Sequence, residues 1–107
     1  MKAGTIVIAD FPGATRIKRR PAVVVSTATY HAARPDVILA VVTSQIFKAT
    51  AETDYILQDW AAAGLNQPSA VRVFLGMRAF TEVTIIGTLS DRDWTEVQKR
   101  LRLSLEV

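Results

Sequence analysis

The chain has 107 residues, room for one domain (residues 1–107), and its balance of 50% apolar and 21% charged residues is that of a globular protein. It contains no cysteine, which excludes disulfides, thiolate metal sites and a cysteine nucleophile, and fits a reducing compartment. The longest unbroken apolar run, Val37 to Val42, is far too short to span a bilayer, and the N-terminus lacks a secretory pattern, so a cytoplasmic location is expected.

The net charge of +3 is unevenly placed. Residues 1–20 carry five cations against one acid, whereas the other parts of the chain are close to balance. A local basic patch on an otherwise balanced protein points to an anionic partner such as a phosphate backbone.

In chain order, Thr5–Asp10 reads as a first strand, rich in β-branched residues, and Phe11-Pro12-Gly13 is expected to break it. A loop of about ten residues should follow, longer than most hairpin connections and so a candidate functional segment. It carries Arg16, Lys18 and Arg19 and ends at Arg20-Pro21. Proline biases the residue before it towards extended backbone and is tolerated at a strand's first position. Arg20 is therefore expected as a fixed cation at the mouth of a second strand, Ala22–Val25. Ser26 or Thr27 can cap a short helical turn over Thr29–Ala33, stopped by Pro35.

Val37–Thr43 is the clearest strand, and its polar end, Thr43-Ser44-Gln45, should emerge at the sheet edge. A polar connection over Ile46–Thr53 leads to a short strand, Tyr55–Leu57. Asp59 can cap a single turn, Trp60–Ala63, with Gly64 as its left-handed stop. A strand over Ala70–Phe74 follows, then an ambiguous stretch from Gly76 to Glu82. Thr84–Leu89 is the last strand, with Gly87 marking a bulge or a close backbone approach. Ser90, Asp91 and Asp93 open a C-terminal helix whose apolar stripe is Trp94, Val97, Leu101 and Leu105. About six short strands and one terminal helix describe a mainly β fold, a curved antiparallel sheet or small barrel.

The residue inventory narrows the chemistry. One histidine, His31, and scattered acids without ligand spacing give no metal site, and His31 is expected as a surface or packing residue. No phosphate-binding glycine loop or serine-hydrolase elbow is present. What remains is cations and hydroxyls at strand ends, Arg20 with Thr43 and Ser44. Such groups suit gripping a phosphate and stabilising charge that develops on it.

Gly4-Thr5-Ile6-Val7 with Asp10-Phe11-Pro12, then Arg20-Pro21-Ala22-Val23-Val24-Val25-Ser26, Tyr30, Asp36-Val37-Ile38, Thr43-Ser44-Gln45, Ala63-Gly64-Leu65 with Pro68-Ser69, and Leu89-Ser90-Asp91 together resemble the PemK/MazF toxins of bacterial toxin–antitoxin pairs. The resemblance runs over nearly the whole chain. It implies an SH3-like barrel with a terminal helix and a homodimer. It also implies a metal-independent endoribonuclease that cuts single-stranded RNA without a cofactor, and an antitoxin that blocks the RNA groove. By the same resemblance Arg20 and Thr43 are the catalytic residues. Phe11, Arg16, Lys18 and Arg19, in the loop before the second strand, and Ser44 and Gln45, after the third, contact RNA. Thr5, Val41 and His31 depart from the family pattern, which usually has an acid, a proline and an asparagine there.

Residue chemistry and resemblance together imply attack of a ribose 2′-hydroxyl on the adjacent phosphorus, leaving a 2′,3′-cyclic phosphate and a 5′-hydroxyl. The general base stays open, since a guanidinium titrating above about 12 is a poor one. Two other readings compete. One is a gyrase-binding poison like CcdB on a related barrel. That family ends in Trp-Gly-Ile, whereas this chain ends Leu105-Glu106-Val107. The other is a non-catalytic RNA-binding or degenerate toxin-fold module.

Overall fold

The computed structural model describes residues 1–12 and 16–107. Strand β1 (Thr5–Pro12) and strand β2 (Ile17–Val24) pair antiparallel from Ile6, opposite Val23, to Pro12, opposite Ile17, with Ile8 opposite Pro21 and Asp10 opposite Arg19. The expected break at Phe11-Pro12 therefore does not occur at those two residues, and Gly13 lies outside the described residues. Lys18, Arg19 and Arg20 lie within β2 and not on a loop. Opposite charges on Asp10 and Arg19 suit neighbouring positions in such a pair. Pro21 sits inside β2, not at its first residue. It is tolerated there because strand β3 (Asp36–Thr43) pairs with β2 only from Ala22 to Val24, so the preceding half of β2 has an open edge.

Helix α1 (Ala28–Ala33) is capped by Thr27, whose hydroxyl accepts from Tyr30 N at 3.2 Å. After β3 come a 3₁₀ turn at Ile46–Lys48, strand β4 (Tyr55–Ile56) and strand β5 (Ala70–Ala79). A second 3₁₀ turn at Phe80–Glu82, strand β6 (Thr84–Thr88) and helix α2 (Asp91–Ser104) complete the chain. β5 is longer than its sequence suggests. Its register against β3 shifts between Ala40, which faces Leu75, and Val42, which faces Val71. The residues between bulge out and break the alternation by which a strand is recognised.

All pairings are antiparallel, in the order β4-β5-β3-β2-β1-β6, and the sheet curls. One face buries Ile6, Val23, Ala40, Val42 and Val71 against Leu57, Leu65, Leu89 and Val97, with Trp94 and Leu101 of α2 packed on them. The other buries Val7, Ala9, Phe11, Ala22, Val24, Leu39 and Val41 beneath Phe80 and Val83. Burial on both faces explains the unbroken apolar runs of β2 and β3. The stripe of α2 ends earlier than expected, because Leu105 is the residue after the helix and is exposed.

Two carboxylates tie α2 to the segment before β5. Ser90 caps α2 by accepting from Asp93 N at 3.3 Å. Asp93, which reads in the sequence as a capping acid, is completely buried. It accepts from Tyr55 OH at 2.6 Å, Gln58 N at 3.1 Å and Asp59 N at 2.8 Å. Asp59 does not cap its own turn with its side chain. Its carboxylate accepts from Ser90 Oγ at 2.6 Å and from Arg92 through two bonds of 2.7 Å. Gly64 adopts φ +90°, the left-handed stop expected of it, and Gly87 is a point of close approach. A Cβ at Gly87 would lie 2.0 Å from Ala63 O, and one at Gly64 2.4 Å from Ile86 O.

Candidate nucleic-acid cleft

The last β2–β3 pair is Ala22 with Val41. Pro21 has no N–H with which to continue a ladder, and Val42 and Thr43 are paired only along the opposite edge of β3, with Val71 and Ala70 of β5. Two further steps in the β2–β3 register would set Pro21 against Val42 and Arg20 against Thr43. The ladder stops short of those pairs, and an open cleft of about 380 Å³ lies there.

Lys18, Arg19 and Arg20 line it from β2, Thr43, Ser44 and Gln45 from the end of β3, and Gly64–Gln67 with Ser69 from the segment before β5. Ile8, Pro21, Val42, Leu65 and Ile86 supply the apolar lining, and no acid is among the lining residues. Three cations in a cleft without a carboxylate make a positive depression suited to an anion.

Arg20 is half-buried, and among the described residues its guanidinium has no hydrogen-bond or ion-pair partner. Its five donors are available to a ligand. Thr43 Oγ1 accepts from Gln45 N at 3.1 Å, which fixes the hydroxyl oxygen and leaves its hydrogen to donate. Ser44, Gln45 and Lys18 are exposed in the cleft. Arg19 is directed partly elsewhere, to Asp10 and to Thr84 Oγ1, each at 3.5 Å.

Two of the residues singled out from the sequence do not line the cleft. Arg16 is exposed outside it. Phe11 is 2% exposed and belongs to the second core, where the Arg78 guanidinium lies 5.0 Å from its ring centre. His31 is a packing residue away from the cleft. Its Nδ1 donates to Met1 O at 3.1 Å, its Nε2 accepts from Ser26 Oγ at 2.5 Å, and Phe80 stands edge-on to it at 5.3 Å. Among the described residues no three or more His, Cys, Asp or Glu side chains are grouped as metal ligands. The sequence does not single out Asn66 and Gln67, since an exposed turn of amides carries neither a charge nor a periodic signal.

A curled six-stranded antiparallel sheet with a C-terminal helix is the fold of the MazF-type toxins. The chain superposes on an endoribonuclease from a mycobacterial species, solved with its cognate antitoxin, at a TM-score of 0.83 and 16% identity, covering 100% of this chain and 96% of the other. It superposes on the toxin MazF-mt6 of Mycobacterium tuberculosis at a TM-score of 0.75 and 20% identity, covering 96% and 99%. The MazE–MazF structure from Deinococcus radiodurans gives a TM-score of 0.72 and 21% identity, covering 100% and 96%. Matches at this identity define the fold. No curated protein sequence is a significant match to the chain. The family is given by the sequence itself: residues 2–105 match the PemK-like, MazF-like toxins of type II toxin–antitoxin systems, and the chain belongs to that family. No described helix is long and apolar enough to cross a membrane.

Proposed function

We propose that the protein is an endoribonuclease toxin that cleaves single-stranded RNA in the cytoplasm, as a homodimer, and is neutralised by a cognate antitoxin. The observation that carries this reading is the sharing of one acid-free basic cleft by Arg20, which is without a partner among the described residues, and by Thr43. Family membership and the antitoxin bound to the mycobacterial endoribonuclease support the partner. Phe74, Met77 and Ile85, exposed on β5 and β6, are apolar surface that association can cover.

RNA carries its own nucleophile, the 2′-hydroxyl, which DNA lacks. In the proposed reaction the 2′-hydroxyl gives up its proton, its oxygen forms a bond to the adjacent phosphorus as the bond from phosphorus to the 5′-oxygen breaks, and the departing 5′-oxygen takes up a proton. The products are a 2′,3′-cyclic phosphate and a 5′-hydroxyl. Arg20 donates to the non-bridging oxygens and stabilises the negative charge that grows on them. Thr43 donates its hydroxyl hydrogen to the same phosphate. Lys18 and Arg19 attract the flanking backbone without regard to sequence, an attraction that weakens steeply as salt rises. The reaction needs no metal.

The test is to incubate the purified protein with single-stranded RNA in excess chelator. Cleavage leaving cyclic-phosphate and 5′-hydroxyl ends is expected. A shift in RNA mobility without cleavage, or no effect at all, overturns the proposal.

A further inference from the structure

The Gly64–Ser69 wall of the cleft is held at its backbone and free at its tips. Gly64 and Ala63 press on the backbone of β6, where no side chain fits between them. Leu65 N donates to Trp60 O at 3.2 Å, and the Leu65 side chain is anchored in the core. Ser69 O accepts from Leu57 N at 2.9 Å, and Ser69 Oγ donates to Gln67 O at 2.9 Å. Between these buried anchors, Asn66 and Gln67 are exposed and line the same cleft as Arg20 and Thr43. Among the described residues neither carboxamide is engaged in a hydrogen bond.

Cations and hydroxyls grip a phosphate, which is the same in every nucleotide, so they position a strand without reading it. A carboxamide is different. It offers an acceptor and two donors on one planar group, the pattern that pairs with the edge of a base. Bases of single-stranded RNA are unstacked and present their Watson–Crick and Hoogsteen edges to such groups. The cleft lies near the small end of the range for ligand sites, roughly 300–1,000 Å³, which is room for about one nucleotide.

We infer that Asn66 and Gln67 are specificity-determining residues, which select the base beside the scissile phosphate by hydrogen bonds to its edge. The inference rests on the RNA reading above. It separates the labour of the cleft: β2 and the end of β3 hold the phosphate, and the Gly64–Ser69 wall chooses the base. Because both side chains are exposed and make no hydrogen bond among the described residues, Asn66→Ala and Gln67→Ala remove base contacts and leave the fold intact.

The experiment maps the 5′-hydroxyl ends produced from a random-sequence RNA pool by the wild type and by each variant. The expected result is cleavage by both variants, with the base preference at one position next to the cut relaxed about tenfold or more. Cleavage by both variants at the wild-type motif overturns the inference. A second measurement decides the matter if the wild type does not cut. The side-chain NH₂ resonances of Asn66 and Gln67 are followed by NMR during titration with short oligomers of A, C and U. Shifts caused by one base in preference to the others support the inference while the nuclease proposal fails. Absent or equal shifts overturn it.

Discussion

Arg20, within β2, and Thr43, the last residue of β3, lie just beyond the last pair that joins the two strands. The register that joins Ala22 to Val41 would set them directly opposite one another two steps on, and both line the cleft that opens there. Pro21, which cannot donate to a ladder, marks the place where pairing stops. A feature that reads as a strand-starting proline is thus the point at which a continuous sheet gives way to a cleft.

Replacing Arg20 removes a charged donor without removing core packing. Arg20→Ala is predicted to keep the wild-type circular dichroism spectrum and to cleave RNA about 100- to 1,000-fold more slowly. Arg20→Lys restores the charge but not the planar fork, so it should recover only part of the rate. Initial rates on a single-stranded substrate check both.

The contact between the Ala63–Gly64 turn and β6 leaves no room for a methyl group. Gly64→Ala adds a Cβ 2.4 Å from Ile86 O on a residue with φ +90°, and Gly87→Ala adds one 2.0 Å from Ala63 O. Each is predicted to cost about 1–3 kcal/mol or more. For a domain of this size that lowers Tm by roughly 4–8 °C per kcal/mol. Thermal melts read the loss directly.

Tyr55 and Asp93 form a buried pair that fastens β4 to α2. Burial, and after it the hydrogen bond to Asp93, pushes the Tyr55 hydroxyl up to about 12. The folded protein therefore retains a proton that the unfolded chain releases near pH 10. The contribution to stability is complete below about pH 10 and is lost as pH rises towards 12. Tyr55→Phe should abolish this alkaline fall. Asp93→Ala strands Tyr55 OH, Gln58 N and Asp59 N together and is predicted to cost about 3 kcal/mol or more, measured by urea unfolding.

Much of the fold is legible because periodicity and caps are local signals. β3, the N-terminus of α2 and the close approach at Gly87 follow from short stretches. Pairing is not local. That β1 and β2 continue through Pro12 and Arg19 depends on their facing one another, and the length of β5 is hidden by its register shift against β3. The burial of Asp93 depends on donors supplied by residues 55–59, and the burial of Phe11 on the curl that brings Gly76 and Arg78 over it. For the same reason, the residue types at Arg20 and Thr43 can be singled out from the chain, whereas their sharing of a cleft with Asn66 and Gln67 is a property of the folded sheet.

Asp59 is held by hydrogen bonds from Arg92 and then Ser90, which bring its carboxyl down to about 2. Its folded value lies below the unfolded one of about 4, so the stabilisation is present above about pH 4 and is lost as pH falls towards 2. Arg92→Ala is predicted to make Tm less sensitive to pH across that interval. Melting curves of both proteins from pH 5 to about 2 test it.

The joint hold of Arg20 and Thr43 on one phosphate is tested most directly by a crystal structure with a single-stranded RNA made uncleavable by a 2′-deoxy sugar at the cut site. The phosphate of that linkage is expected within hydrogen-bonding distance of both the Arg20 guanidinium and the Thr43 hydroxyl. A phosphate that reaches only one of them, or RNA bound on another face of the protein, contradicts it.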